Sequence, residues 1–216
     1  MSEAYIIDAI RTPRGKGKKD GALHEVKPIR LLTTLLNELQ QRHNLDTSQV
    51  DDIVLGCVTP IGDQGADIAK TAAIAAGWDN DVAGVQINRF CASGLEAVNL
   101  AAQKVRSGWE DLIVAGGVES MSRAPLVMGK SETAFGRAQK LEDTTMGWRF
   151  INPKLKEMYG VETMPQTAEN VAAQFNVNRA NQDAFALASQ QRTAEAQARG
   201  FFDKEIIAVS IPQRKG

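Results

Sequence analysis

Apolar positions in the first half of the chain follow two alternating rhythms. Short apolar runs at Ala4–Ala9, Ile53–Val58, Val85–Asn88 and Asp111–Val118 read as strands, while Pro28–Arg42, Ala66–Ala76 and Ser93–Ser107 carry helical spacing. Pro28 suits a first helical turn, and Gly77 and Gly108 suit helix ends. Alternation of this kind predicts an α/β fold, a largely parallel or mixed sheet covered by helices. From Glu119 to Val161 the rhythm breaks down into Gly, Pro, Thr and scattered charges, with Trp148 and Phe150 among them. So long an irregular stretch in a compact protein points to a functional or interface-forming segment. Helical spacing returns over Gln166–Phe175 and over Arg179–Arg199, where Ala184, Leu187 and Ala188 share a face. A strand-like Ile206–Ile211 and a polar close, Gln213–Gly216, follow.

Composition narrows the class. A chain of 216 residues can form one large domain or two small ones around a substantial core. Net charge is -1 and 43% of residues are hydrophobic, which excludes a generally basic nucleic-acid binder and a disordered acidic tail. Two cysteines in such a length suit a reducing compartment. The first residues lack the basic region and apolar core of a secretory signal, and no apolar run is long enough to span a bilayer. The expectation is a cytoplasmic protein with neither a membrane nor a nucleic-acid partner. One local charge cluster stands out, Arg11, Arg14, Lys16, Lys18 and Lys19 interleaved with Gly15 and Gly17. A phosphate-binding loop would need a hydroxyl residue after Gly17-Lys18, where Lys19 stands instead, so a basic surface loop is the better reading.

Candidate chemistry centres on Cys91, in Asn88-Arg89-Phe90-Cys91-Ala92-Ser93-Gly94, between a predicted strand and a predicted helix. Ala92, Ser93 and Gly94 are small enough for a sharp turn and for close approach of a substrate. A thiol just ahead of a helix faces the positive end of its dipole, which favours the reactive thiolate. Free cysteines are also among the most buried residues, so spacing alone leaves Cys91 a candidate beside the commoner reading of a structural cysteine. Cys57 lies within a predicted buried strand and reads as structural.

The run Val85-Gln86-Ile87-Asn88-Arg89-Phe90-Cys91-Ala92-Ser93-Gly94, followed by Ala115-Gly116-Gly117-Val118-Glu119-Ser120-Met121-Ser122, resembles the thiolase signature. Further matching segments are Asp8–Pro13, Gly56–Val58, Gly62–Gln64, Glu142–Thr145 and Met164–Asn170, in order along essentially the whole chain. The resemblance implies a layered α-β-α-β-α fold, of which residues 1–118 match an N-terminal half-domain. Residues 119–216 match part of an inserted loop domain that holds CoA and the tetramer contacts. It implies that Cys91 accepts an acyl group, with its own backbone N–H placed to stabilise an acyl-enzyme oxyanion. By the same resemblance Ser93 and Gly94 form the turn at the substrate, although helix N-capping is the stronger role for Ser93. Met164 is implied to pack near the acyl chain and pantetheine, with ordinary core packing as its rival, and Gln64 to approach a dimer interface. The partners implied are acyl-CoA and CoA, in a homodimer or homotetramer. Coenzyme A is a substrate, and no cofactor or metal is assigned. The basic loop then gains a weaker second reading, electrostatic steering of CoA.

Two features bear on direction and completeness. Thr163 stands where biosynthetic thiolases often carry histidine, and Asp143–Phe150 resembles degradative enzymes including 3-oxoadipyl-CoA thiolases. The implied reaction is thiolytic cleavage of a 3-ketoacyl-CoA. The alternatives are an acetoacetyl-CoA-forming acetyltransferase, a non-catalytic oligomerisation or CoA-binding module, and a ketoacyl-synthase-type condensing enzyme. The stretch beginning at Gly116 favours thiolase over the last. Thiolases take their proton-transfer histidine and second cysteine from Gly-His-Pro and Cys-x-Gly segments, which this sequence lacks. His24 and His43 match neither, so the chain reads as the N-terminal portion of a thiolase. The purified 216-residue chain is therefore expected to cleave acetoacetyl-CoA slowly or not at all, and robust turnover in a CoA-release assay would overturn that.

Overall fold

The computed structural model describes residues 3–211; Met1, Ser2 and 212–216, with the polar close, lie outside the described residues. The chain forms two compact units. One runs to Pro125 and takes back the chain from Glu205; the other is Leu126–Lys204. The division thus falls after Pro125, beyond the boundary drawn at Val118, and the chain rejoins the first unit at Glu205.

The first unit is built on three parallel strands, β1 (Asp52–Gly56), β2 (Ala83–Ile87) and β3 (Ile113–Gly117), in the order β2-β1-β3. Val54 lies opposite Val85 on one side and Ala115 on the other. Three helices cover this sheet: α1 (Pro28–His43), α2 (Ile68–Ala75) and α3 (Ser93–Ser107). α1 starts on Pro28 and stops where Asn44 turns left-handed at φ 46. α2 begins two residues later than its spacing predicts because the Asp67 carboxylate caps it, accepting from Ala69 N–H at 3.0 Å and Lys70 N–H at 3.3 Å. α3 ends on Gly108 at φ 72.

Every residue of β1 is buried, so both faces of the sheet are covered at its centre. Ile53, Leu55 and then Cys57 point into a core with Leu32 and Leu36 of α1 and Ile68, Ala69, Ala72 and Ala73 of α2. With a side-chain period of two, Asp52, Val54 and Gly56 face the other way. There Asp52 pairs with Lys104 of α3. Gly56 lies against the start of α3, where a Cβ would stand 2.7 Å from Ser93 backbone carbon and 2.9 Å from Gly94 nitrogen. α2 and α3 therefore occupy opposite faces. Strand order requires it: the chain steps from β1 to β2, then crosses back past β1 to β3, and right-handed crossovers in opposite directions leave helices on opposite sides.

Two predicted strands are corrected. Ala4–Ala9 joins no sheet, and Tyr5, Ile6 and Ile7 are exposed. Its Asp8 carboxylate is held by His43 and Arg42 at the end of α1, which keeps that carboxyl below its usual range. Ile206–Ile211 also stays out of the sheet, apart from one parallel bridge between Ile206 and Arg11 with an Arg11–Glu205 ion pair at 2.7 Å. Apolar alternation marks a segment that can lie on a pleated surface, but a strand exists only where a neighbour completes its ladder. The basic stretch from Arg14 to Lys19 is exposed, as a surface loop requires.

The second unit holds a short antiparallel pair, β4 (Leu126–Met128) with β5 (Leu141–Asp143), then α4 (Pro153–Tyr159), α5 (Met164–Gln174) and α6 (Arg179–Ala198). Periodicity missed β4, β5 and α4 because strands of three residues and a helix of seven offer too few positions to show a period. The apolar face read on α6 is present but uncovered, with Leu187 exposed. No helix among the described residues is long and apolar enough to cross a membrane.

The contact at Gly56 yields a direct test. Gly56→Ala is expected to cost about 1–3 kcal/mol in a denaturant melt, because its new methyl meets helix backbone that cannot swing away. An unchanged midpoint would show that α3 can lift off the strand.

Candidate active site

Three chain segments leave the carboxyl ends of the parallel strands. The segment after β1 leads to α2 on one face, and the neighbouring segment after β2 leads to α3 on the other. Open α/β sheets bind ligands in the crevice outside the carboxyl ends of their strands. Cys91 lies in the segment after β2.

The turn that carries it is built from local polar bonds. Arg89 N–H donates to Ser93 Oγ at 2.8 Å, and Ser93 Oγ–H donates to Phe90 carbonyl at 2.6 Å. Ala92 N–H reaches Arg89 carbonyl at 3.1 Å and Ser93 N–H reaches Phe90 carbonyl at 3.0 Å. These bonds hold Phe90 at φ 49, a left-handed conformation that is strained for a bulky side chain and worth roughly 1–3 kcal/mol of compensation. Ser93 is buried and is the first residue of α3. The N-capping role expected for it is corrected: Ala92 holds that position with no side-chain cap, and the Ser93 hydroxyl reaches backward to close the turn. Cys91 emerges exposed, so the structural-cysteine reading does not describe it. Gly94 leaves open space where a Cβ would stand, as close approach of a substrate needs.

The segment after β1 is tied to its neighbours on both sides. Val58 N–H donates to Glu119 Oε2 at 2.7 Å, and Val58 carbonyl accepts from Asn88 Nδ2 at 3.1 Å. Gln64, expected near an interface, is buried within the unit at 4% exposure. Its Nε2 donates to Glu119 Oε1 at 2.6 Å and Thr59 carbonyl at 2.9 Å, and its Oε1 accepts Ser120 N–H at 2.6 Å. Cys57 sits beneath this network, buried, with its thiol pushed up to about 11 by burial and by the Glu119 charge. The two cysteines therefore have opposite surroundings at the same end of the sheet.

The remaining candidates lie elsewhere. Met164 begins α5 in the second unit and is 68% exposed, so ordinary core packing does not account for it. Its helix starts cleanly because Gln166 Oε1 accepts Thr163 N–H at 2.8 Å. His43 binds Asp8 at 2.8 Å at the end of α1, and His24 lies exposed in the loop before it. Sequence reasoning passed over Asn88 and Glu119 as positioning groups. An Asn beside a tight turn is a signal for side-chain bonding to the backbone two residues on, which Asn88 makes to Phe90. Nothing local marks Glu119, whose partners are about sixty positions away in sequence.

An exposed cysteine at the carboxyl edge of a parallel α/β sheet, on a strained strand-to-helix turn, makes a class of site in which sulfur can accept a transferred group. The chain belongs to the thiolase family, whose N-terminal domain matches residues 4–216. It is 55% identical to the beta-ketoadipyl-CoA thiolase of Acinetobacter baylyi, an alignment covering 100% of this chain and 54% of that protein. It is 47% identical to the 3-oxoadipyl-CoA/3-oxo-5,6-dehydrosuberyl-CoA thiolase of Escherichia coli, again over 100% of this chain and 54% of that one. The crystal structure of the Bacillus anthracis acetyl-CoA acetyltransferase superposes with a TM-score of 0.81 at 32% identity, covering 96% of this chain and 50% of that one. The α/β fold read from the sequence is thus the thiolase fold, and the chain spans about half the length of these relatives.

The contrast between the cysteines is testable by thiol labelling with intact-mass detection. At about pH 8 the native chain is expected to take one maleimide, on Cys91, and a second only in denaturant. With the Cys57 pKa raised from 9.0 to about 11, the fold keeps its full stability below pH 9, where the thiol is neutral folded or unfolded, and loses stability as pH climbs from 9 toward 11. Rapid double labelling of the native chain would contradict the burial of Cys57.

Proposed function

We propose that this chain carries the acyl-accepting half of a thiolase active site, for thiolytic cleavage of a 3-ketoacyl-CoA to acetyl-CoA and a shortened acyl-CoA. The observation that carries the reading is the exposed Cys91 on a strained turn at the carboxyl edge of the parallel sheet, in a chain of the thiolase family. The names of its relatives at 47–55% identity support a 3-oxoadipyl-CoA-like substrate. The reverse condensation to acetoacetyl-CoA draws support from the acetyl-CoA acetyltransferase at 32% identity, lower than that of the 3-oxoadipyl-CoA-type thiolases, so cleavage is the favoured direction.

The chemistry divides into two transfers. The Cys91 thiolate attacks the 3-keto carbonyl, a C–S bond forms, and a tetrahedral oxyanion results. Its collapse breaks the C2–C3 bond; the electron pair leaves on the acetyl-CoA carbon, which takes a proton. CoA thiol then attacks the S-acyl cysteine, loses its proton, and releases the acyl-CoA as the Cys91 thiolate returns. The backbone N–H of Cys91 itself, just ahead of α3, is suited to stabilise the oxyanion. Gly94 leaves room for the acyl thioester. Coenzyme A enters as substrate, and a homodimeric or homotetrameric assembly in the cytoplasm fits this reading. Proton transfer is assigned to no residue of this chain.

Incubation with acetyl-CoA followed by intact-mass measurement tests the proposal. A mass gain of one acetyl group is expected, absent in Cys91→Ser and reversed by added CoA. Acetylation that persists in Cys91→Ser would remove Cys91 from the nucleophile's role.

A further inference from the structure

We propose that Asn88 is a positioning residue for the reaction of Cys91, an inference that rests on the acyl-transfer reading. Its carboxamide uses both ends at once. Nδ2 donates to Val58 carbonyl at 3.1 Å, and Oδ1 accepts Phe90 N–H at 2.8 Å, on the residue immediately before Cys91. Val58 N–H in turn donates to Glu119 Oε2 at 2.7 Å. Three bonds in series therefore run from the segment after β3, through the segment after β1, to the turn after β2.

The two polar anchors of the turn have different tasks. Ser93 ties it to α3 and sets its shape, through bonds to Arg89 N–H and Phe90 carbonyl. Asn88 ties it to the β1 side and sets where the thiol stands against the strand ends. The bond to Phe90 falls on the residue at φ 49, a conformation that a bulky side chain holds only when its surroundings fix it. The position needs one donor and one acceptor together, which a carboxamide supplies. Aspartate keeps the acceptor for Phe90 but loses the donor and sets a negative charge against Val58 carbonyl. Alanine loses both. Loosening the turn leaves the thiol exposed and able to react with a small reagent that needs no alignment. Transfer from a thioester needs thiolate, carbonyl and oxyanion donors in register, and a misplacement of about 1 Å costs on the order of 100-fold.

The test compares two reactions of the same sulfur in the full-length protein. Single-turnover acylation by acetyl-CoA and pseudo-first-order alkylation by iodoacetamide are measured for wild type, Asn88→Ala, Asn88→Asp and Cys91→Ser. Acylation is expected to fall about 10- to 100-fold in both Asn88 variants, while alkylation changes by less than about threefold. Where Asn88→Ala does not fold, the Asn88→Asp ratio decides. Wild-type acylation in the variants would overturn the inference. So would acylation and alkylation falling in proportion, which would make Asn88 a residue of the fold alone. Acylation surviving in Cys91→Ser would instead remove the acyl-transfer reading, whatever the Asn88 variants do.

Discussion

The first unit depends on one steric constraint, the contact between Gly56 at the end of β1 and the first turn of α3. A Cβ at Gly56 would stand 2.7 Å from Ser93, so the helix can sit where it does only because that strand residue has no side chain. A second close approach works on the opposite face, where a Cβ at Gly84 would lie 2.4 Å from Lys70 backbone nitrogen in α2. These contacts draw both helices onto the sheet and leave β1 buried throughout. The turn holding Cys91 takes its position from the seat of α3. Its local strain at Phe90 is sustained by bonds that exist only while the helix is in place.

Chemistry at this end of the sheet follows from burial and polar pairing. Cys57 and Cys91 belong to adjoining strand ends, yet one thiol is buried beside Glu119 and held protonated, and the other is exposed beside an uncapped helix start. The Glu119 carboxylate accepts from Val58 and Gln64, so its charge is used inside the scaffold. That arrangement makes Gln64 a buried connector between loops. It also spaces the strand ends with side-chain bonds, which are directional, where apolar packing alone would tolerate sliding.

At the opposite end of the sheet, paired charges fix register. Asp51 accepts backbone N–H bonds from Asp111 and Leu112 at 2.7 and 3.0 Å, which hold its carboxyl below the usual range and align the entry to β3 with β1. Lys104 of α3 bonds Asp52 and Glu110 together. Breaking such a partly buried cluster would leave a carboxylate uncompensated, so it resists sliding of α3 along the strand. The sheet is thereby pinned at one end and carries the reactive turn at the other.

Much of this was legible in the sequence. Helical spacing located α1, α3 and α6 to within a residue or two, and apolar runs located β1, β2 and β3, because long or fully buried elements repeat their signal. The motif around Cys91 and its order along the chain were enough to identify the family. Tertiary structure alone decided that Ala4–Ala9 and Ile206–Ile211 stay outside the sheet, since a ladder needs a partner that propensity cannot supply. It alone turned Ser93 from a helix cap into the closure of a strained turn, and buried Gln64 while leaving Met164 exposed. The physical reason is range: sequence records what a segment prefers locally. Burial, close approach and hydrogen bonds such as Glu119 to Val58 are settled by residues far away in the chain.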